Sequence, residues 1–174
     1  MNDEIVKIYN EDGVYLNQMI SKKEAKQKNL FHKAVHVWIM IENKILIQQR
    51  SETKKIFPDK WDISVDGYLI ENENSLNTVI REVKEELNID LDKNQIEFLY
   101  SLRRTGEIAG NIFFDTYLVK LPSNFDLSLI KLQSNEVKNI KMVNIDYLKK
   151  VVTEEDITFA PRKYECKMLI DYFK

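Results

Sequence analysis

One stretch constrains this chain more than any other: Gly67 to Ile89, reading GYLIENENSLNTVIREVKEELNI. Within it Leu76, Val79, Ile80, Val83 and Leu87 recur at steps of three and four, the spacing of an amphipathic helix. Each helical residue turns by about 100°, so Glu86 lies roughly 40° round from Glu82, and Glu85 about 60° to its other side. Three carboxylates are therefore predicted on one face, with the apolar stripe on the other. Like charges so placed repel unless something cationic sits among them. Lys84 points elsewhere on the helix. A bound divalent cation with oxygen ligands is the sharper reading, against a plain solvated acidic face. The helix is predicted from about Ser75 to Leu87, with Ser75 or Asn74 as its N-terminal cap.

The rest of the chain sets the surroundings. A length of 174 residues suits one domain and allows a real core. A net charge of −2, with basic and acidic residues interleaved, gives no general attraction to nucleic acid or to an anionic membrane. The single cysteine, Cys166, excludes an internal disulfide and a cysteine-based zinc site. No signal-like segment or apolar run of spanning length is present, so a cytoplasmic protein is expected, with no membrane partner.

Along the chain, EIVKIYNEDGVYLNQMI reads as a hairpin around Asp12-Gly13, and Ser21 to Glu24 has the form of a capping box opening a short helix to about Asn29. This front piece is expected to pack on the main domain, and its strands leave a homodimer open. Ala34 to Ile41 and Lys44 to Arg50 read as strands, the first apolar on both faces and hence central. His36 within it and His32 before it read as structural histidines. A loop holding Phe57, Pro58 and Trp61 leads to a short strand ending at Gly67. Beyond the helix, IEFLYSLRRT and NIFFDTYLVKL form an antiparallel pair around Gly106 to Gly110, followed by the strand EVKNIKMVN and the helix IDYLKKVV. Ala160-Pro161 opens a last helix, with Pro161 in its first turn. The expected architecture is α/β, a mixed sheet between helices.

The stretch from Gly67 to Ile89 resembles the Nudix box, G-x5-E-x7-R-E-U-x-E-E-x-G-U, where U is a bulky aliphatic. Gly67, Glu73, Arg81, Glu82, Val83, Glu85, Glu86 and Ile89 fall in register. A chance match of the Gly and charged positions has odds on the order of one in 10⁵ at this composition. Asn88 stands where the pattern has its last glycine, and a left-handed backbone after the helix suits Asn as the usual second choice.

The resemblance implies a Nudix α/β/α sandwich and a metal-dependent hydrolase using Mg²⁺ or Mn²⁺. It implies Glu82, Glu85 and Glu86 as metal ligands, with Glu85 a ligand or the water-activating base. Glu136, just ahead of a later strand, looks like the further acidic residue that family members draw from a loop. Arg81 is read as a support, pairing with Glu73 or with Glu85 one turn on. From His32 to Tyr147 the chain is similar to the Nudix subgroup that includes type I isopentenyl-diphosphate isomerase. Arg50 and Lys54 match the cations that hold diphosphate there. Where that isomerase has Cys-Gly-His, this chain has Asp66-Gly67-Tyr68, without the thiol or the imidazole ligand. Hydrolysis of a nucleoside diphosphate derivative or a similar organic diphosphate is therefore expected. An isomerase-like enzyme and a non-catalytic nucleotide-sensing domain are the alternatives. The substrate's organic half is not legible, because Trp38, Trp61 and Phe57 suit a core as well as a base.

Overall fold

The apolar strand expected at the centre is indeed where the sheet turns. The computed structural model describes residues 4–106, 110–154 and 156–174. Strand β3 (Phe31–Ile41) pairs in parallel along its whole length with β8 (Asn111–Leu121). Its other edge is shared. β1 (Ile5–Tyr9) meets it at Phe31, β6 (Val65–Tyr68) at Ala34 to Val37, and β4 (Lys44–Arg50) at Ile39 to Ile41.

β3 and β4 thus leave their turn paired and then part, β5 (Trp61–Asp62) taking the freed edge of β4. Ser64 sits in the fork, accepting from the Ile39 N–H at 2.7 Å and donating to the Leu46 carbonyl. Two backbone groups that a continuous ladder would have paired are satisfied there by one hydroxyl. β2 (Tyr15–Ser21) extends the sheet beyond β1, β7 (Ile96–Arg104) lies antiparallel on β8, and β9 (Val137–Asn144) covers the far edge of β4.

Alternation along β3 divides the core. Val35, Val37 and Ile39 pack with Leu46 and Val119 against Val79, Val83 and Leu87 of helix α2 (Ser75–Leu87). Trp38 points the other way, with Ile45, Ile47 and Leu118, onto Leu148 of α3 (Ile145–Thr153) and Leu169 of α4 (Lys163–Tyr172). The result is the expected layering, helix on either face of a mixed sheet. Ser21 caps α1 (Lys22–Gln27), its hydroxyl accepting from the Glu24 N–H.

Three boundaries differ from the sequence reading. β3 begins at Phe31, so His32 lies inside the strand, because β8 continues the ladder down to Asn111. α1 ends at Gln27, two residues early. Pro161 precedes α4 rather than opening it. Arg162 is the cap residue, turned out of the helix by a bond from its N–H to the Ala160 carbonyl and by a buried ion pair with Asp62. The turn expected between β7 and β8 falls mostly on 107–109, outside the described residues.

Candidate active site

The acidic helix is placed with little freedom. Asn74 caps α2, its side chain accepting from the Asn77 N–H at 2.9 Å. At the other end Asn88 takes the left-handed conformation, φ 57° and ψ 31°, that the pattern's glycine would supply. The loop before β9 then docks on the helix end. Lys131 N–H donates to the Leu87 carbonyl and Gln133 N–H to that of Glu86. These bonds bring Glu136 round to the same cleft, where Lys54 pairs with its carboxylate.

The cleft has a volume of about 280 Å³ and is lined by Glu82, Glu85, Glu86 and Glu136 together with Lys54 and Asp66. Gly67 forms its floor against α2. A Cβ there would stand 2.0 Å from the Glu82 carboxyl carbon, so the pattern's first glycine is needed for close approach rather than for an unusual φ.

Arg81 organises the carboxylates. Its Nε and Nη2 grip Glu73 at 2.7 and 3.0 Å, Nη1 reaches Glu82 at 2.7 Å and Glu85 at 3.1 Å, and Nη2 also donates to the Tyr68 carbonyl at 3.0 Å. Both pairings expected from spacing are present, and Glu82 is a third. Burial opposes charge on Glu73, yet its bonds from Arg81 and the Thr78 hydroxyl outweigh this and hold its carboxyl low. Glu82 is different. Burial pushes its carboxyl up to about 8, with Arg81 opposing. Glu86, 3% exposed, is driven well above the usual range by burial and then by the charges of Asp66, Glu82 and Glu136. Gln48 donates to it at 3.1 Å, a neutral contact.

Glu82 and Glu86, buried one turn apart on α2, form an all-oxygen donor set, and hard oxygen ligands suit Mg²⁺ or Mn²⁺. Among the described residues no three acidic or imidazole groups are gathered closely enough to hold an ion as they stand. Arg81 draws Glu82 and Glu85 to itself, and Lys54 draws Glu136. Glu85 is half exposed, on the outer margin of the face.

Arg50 and Lys54 both line the cleft, but on different footings. Arg50 is 5% exposed, its Nη1 shared between Asp62 at 3.2 Å and Asp66 at 3.3 Å and its Nε donated to the Ile56 carbonyl. Lys54 stays charged because Glu136 and Asp66 outweigh the burial that opposes it. Asp62, wholly buried, also holds Arg162 at 2.9 Å. This Arg50–Asp62–Arg162 link was not legible in the sequence, because Asp62 and Arg162 lie 100 positions apart. Gln48 had a fainter signal, a polar residue directly after the apolar run Ile45 to Ile47.

His36 and His32 are fully buried, and both rings lack hydrogen-bond partners. His36 stacks on Phe114 with ring centres 3.9 Å apart, and burial holds it neutral. Both are structural, as expected. A second cavity of about 370 Å³ adjoins the cleft, and Arg50, Asp66 and Tyr68 line both. No helix among the described residues is long and apolar enough to cross a membrane.

Comparison with known proteins bears on the family and the fold. Nudix hydrolase 3 of Arabidopsis thaliana is 33% identical over 138 residues, which are 75% of this chain and 18% of that protein. An uncharacterized Nudix hydrolase of Listeria innocua is 36% identical over 120 residues, 67% of this chain and 66% of its own length. The chain thus spans less than two thirds of each of these relatives. A solved structure from Deinococcus radiodurans superimposes with a TM-score of 0.75 at 19% identity, covering 97% of this chain and 98% of the other, which shows the fold. The NUDIX domain model matches residues 30–163, and with the box on α2 this chain belongs to the Nudix family.

Proposed function

We propose that this protein is a pyrophosphohydrolase using Mg²⁺ or Mn²⁺, which cleaves the diphosphate of a nucleoside diphosphate derivative or a similar organic diphosphate. One observation carries the reading. Glu82 and Glu86 lie buried on α2 and, with Glu85 and Glu136, face a cleft shared with Lys54. Glu82 and Glu86 would hold the metal ion, with Glu85 beside them. When bound, such an ion supplies charge neutralisation and an acidified water.

The chain's own groups do the remaining work. Glu85, the most exposed of the three, or Glu136 across the cleft takes the proton of the attacking water. Lys54 turns from Glu136 to the substrate's phosphate oxygens. Arg50, anchored by two aspartates, adds a fixed positive charge at the same wall. Arg81 keeps Glu73, Glu82 and Glu85 in place. The protein acts as one unit on a small molecule in the cytoplasm.

The isomerase-like alternative gains no support from the site. Asp66 is tied to Arg50 and Arg162, which hold its carboxyl far below the usual range despite burial, so it is a poor proton donor. Tyr68 lies under the ammonium of Lys22, 3.7 Å from its ring centre, and brings no imidazole.

The test is hydrolysis to monophosphate products with Mg²⁺, followed by phosphorus NMR, over a panel of nucleoside diphosphates and their sugar and alcohol esters. Glu86→Gln should lose about 10³-fold or more in kcat, the scale of removing a main electrostatic element from a site. Equal rates for the two proteins, or no turnover by wild type, would refute the hydrolase and leave the nucleotide-sensing alternative, for which metal-free nucleotide binding is the check.

A further inference from the structure

The cavity beside the cleft has a chemistry that the diphosphate site does not explain. Its lining combines aromatic faces, Phe57, Phe114 and Tyr68, with the guanidinium groups of Arg50, Arg104 and Arg162. Phe57 holds φ at 51°, a conformation that bulky residues rarely adopt, and a strained residue whose side chain lines a cavity beside a catalytic cleft is commonly a functional one. Phe114 is braced from behind by the His36 ring.

Arg50 and Arg162 are committed to Asp62 and Asp66. Arg104 is placed differently. It ends β7 at the cavity's rim, its side chain is 38% exposed, and its Nη2 reaches Glu165 at 3.4 Å. Glu165 is wholly buried, and its other oxygen has no hydrogen-bond partner, Arg162 and His36 standing at 3.7 and 3.9 Å. A buried carboxylate thus anchors Arg104 through one nitrogen and leaves its other N–H groups without a protein partner among the described residues. Guanidinium donates five hydrogen bonds and accepts none. Asp66, the one acidic side chain of the lining among the described residues, is already bound by two arginines. The cavity therefore offers flat apolar faces and, at its rim, a charged donor in Arg104.

We infer that this cavity holds the organic half of the substrate and that Arg104 selects a flat heterocycle bearing ring carbonyl oxygens, as in a uridine diphosphate derivative. This rests on the hydrolase reading for the cleft. An amino group set against the Arg104 guanidinium would face donor with donor, and a hydrocarbon chain there would leave its remaining N–H groups desolvated without an acceptor.

The experiment compares wild type, Arg104→Met and Arg104→Lys on uridine diphosphate, adenosine diphosphate and isopentenyl diphosphate with Mg²⁺. Wild type should prefer the uridine compound. Arg104→Met should lose roughly 10- to 100-fold in kcat/KM on it, the range for one charge-assisted hydrogen bond, chiefly through KM. Isopentenyl diphosphate turnover should stay unchanged, and lysine should restore part of the loss. An equal fall on all three substrates, no fall on any, or a wild-type preference for the prenyl compound would overturn the assignment. Should wild type hydrolyse none of them, the hydrolase reading fails separately. Titration of uridine monophosphate onto the metal-free proteins, followed by amide NMR shifts at Phe57 and Thr105, then decides. Weaker binding by Arg104→Met supports the subsite. Equal binding by both proteins, or none by either, refutes it.

Discussion

Replacing Gly67 by alanine would test the packing of the acidic helix against the strand beneath it. Gly67 has an ordinary extended backbone in β6, so alanine meets no conformational objection, and the whole effect is steric. The new methyl would stand 2.0 Å from the Glu82 carboxyl carbon, 2.1 Å from Oε1 and 2.3 Å from Cγ. Glu82 cannot swing aside freely, being 9% exposed and held through Oε1 by Arg81 at 2.7 Å. Overpacking of this kind costs about 1–3 kcal/mol. Losing the charge-assisted bond to Arg81 adds about 1.5–3 kcal/mol, and alanine's smaller unfolded-state entropy returns about 0.4–1 kcal/mol.

A net loss of about 1.5–5.5 kcal/mol corresponds to roughly 3–22 °C in Tm for a chain of this size. Thermal unfolding of four proteins measures it: wild type, Gly67→Ala, Glu82→Ala and the double variant. All three clashing atoms belong to the Glu82 side chain beyond Cβ, so the alanine should cost little once that side chain is gone. The cycle should then return a coupling of about 1 kcal/mol or more, within the range for residues in contact. Additive changes, or an unchanged Tm in Gly67→Ala, would refute the contact. Mg²⁺ affinity should fall alongside, because the displaced carboxylate is a proposed ligand.

The protonation of α2 should be visible without substrate. Glu82 in the metal-free fold is raised from 4.5 to about 8, so its contribution to stability is present below about pH 4.5 and is lost as pH rises through 8. Metal-free Tm should therefore decline between pH 5 and 8.5, and the Tm gain on adding Mg²⁺ should grow over the same window, because the ion displaces fewer protons. Glu82→Gln should flatten both trends. Asp62→Ala strands two buried arginines and should cost about 3–5 kcal/mol in urea unfolding, whereas a loss under 1 kcal/mol would mean the network is dispensable. Asn88→Gly should leave Tm unchanged or slightly raised, while Asn88→Val should lower it by several degrees, a check on the left-handed turn.

What was legible beforehand follows the range of the interactions. α2 could be read to the residue because its periodicity, its Asn74 cap and its Asn88 stop are all local. β3 was readable as central because a strand buried on both faces needs apolar residues at every position. Long-range polar contacts leave no such trace. Nothing in the sequence singles out Asp62, Arg162 and Glu165, and only folding shows that they are buried together. The same contacts displaced the start of α4 past Pro161, since Arg162 serves Asp62 at the expense of a helical turn. Arg50 and Lys54 looked alike by spacing, and folding distinguishes an anchored arginine from a movable lysine.

The hairpin at the start of the chain has a practical consequence. The family match begins at residue 30, so a boundary drawn from it would discard β1, β2 and α1. Yet Lys7 donates to the Glu73 carbonyl at 2.6 Å, Glu4 lines the carboxylate cleft, and Lys22 covers Tyr68. A trimmed version would retain every residue of the box and lose one side of the vessel that holds them, so inactivity of such a fragment would say nothing about the box itself.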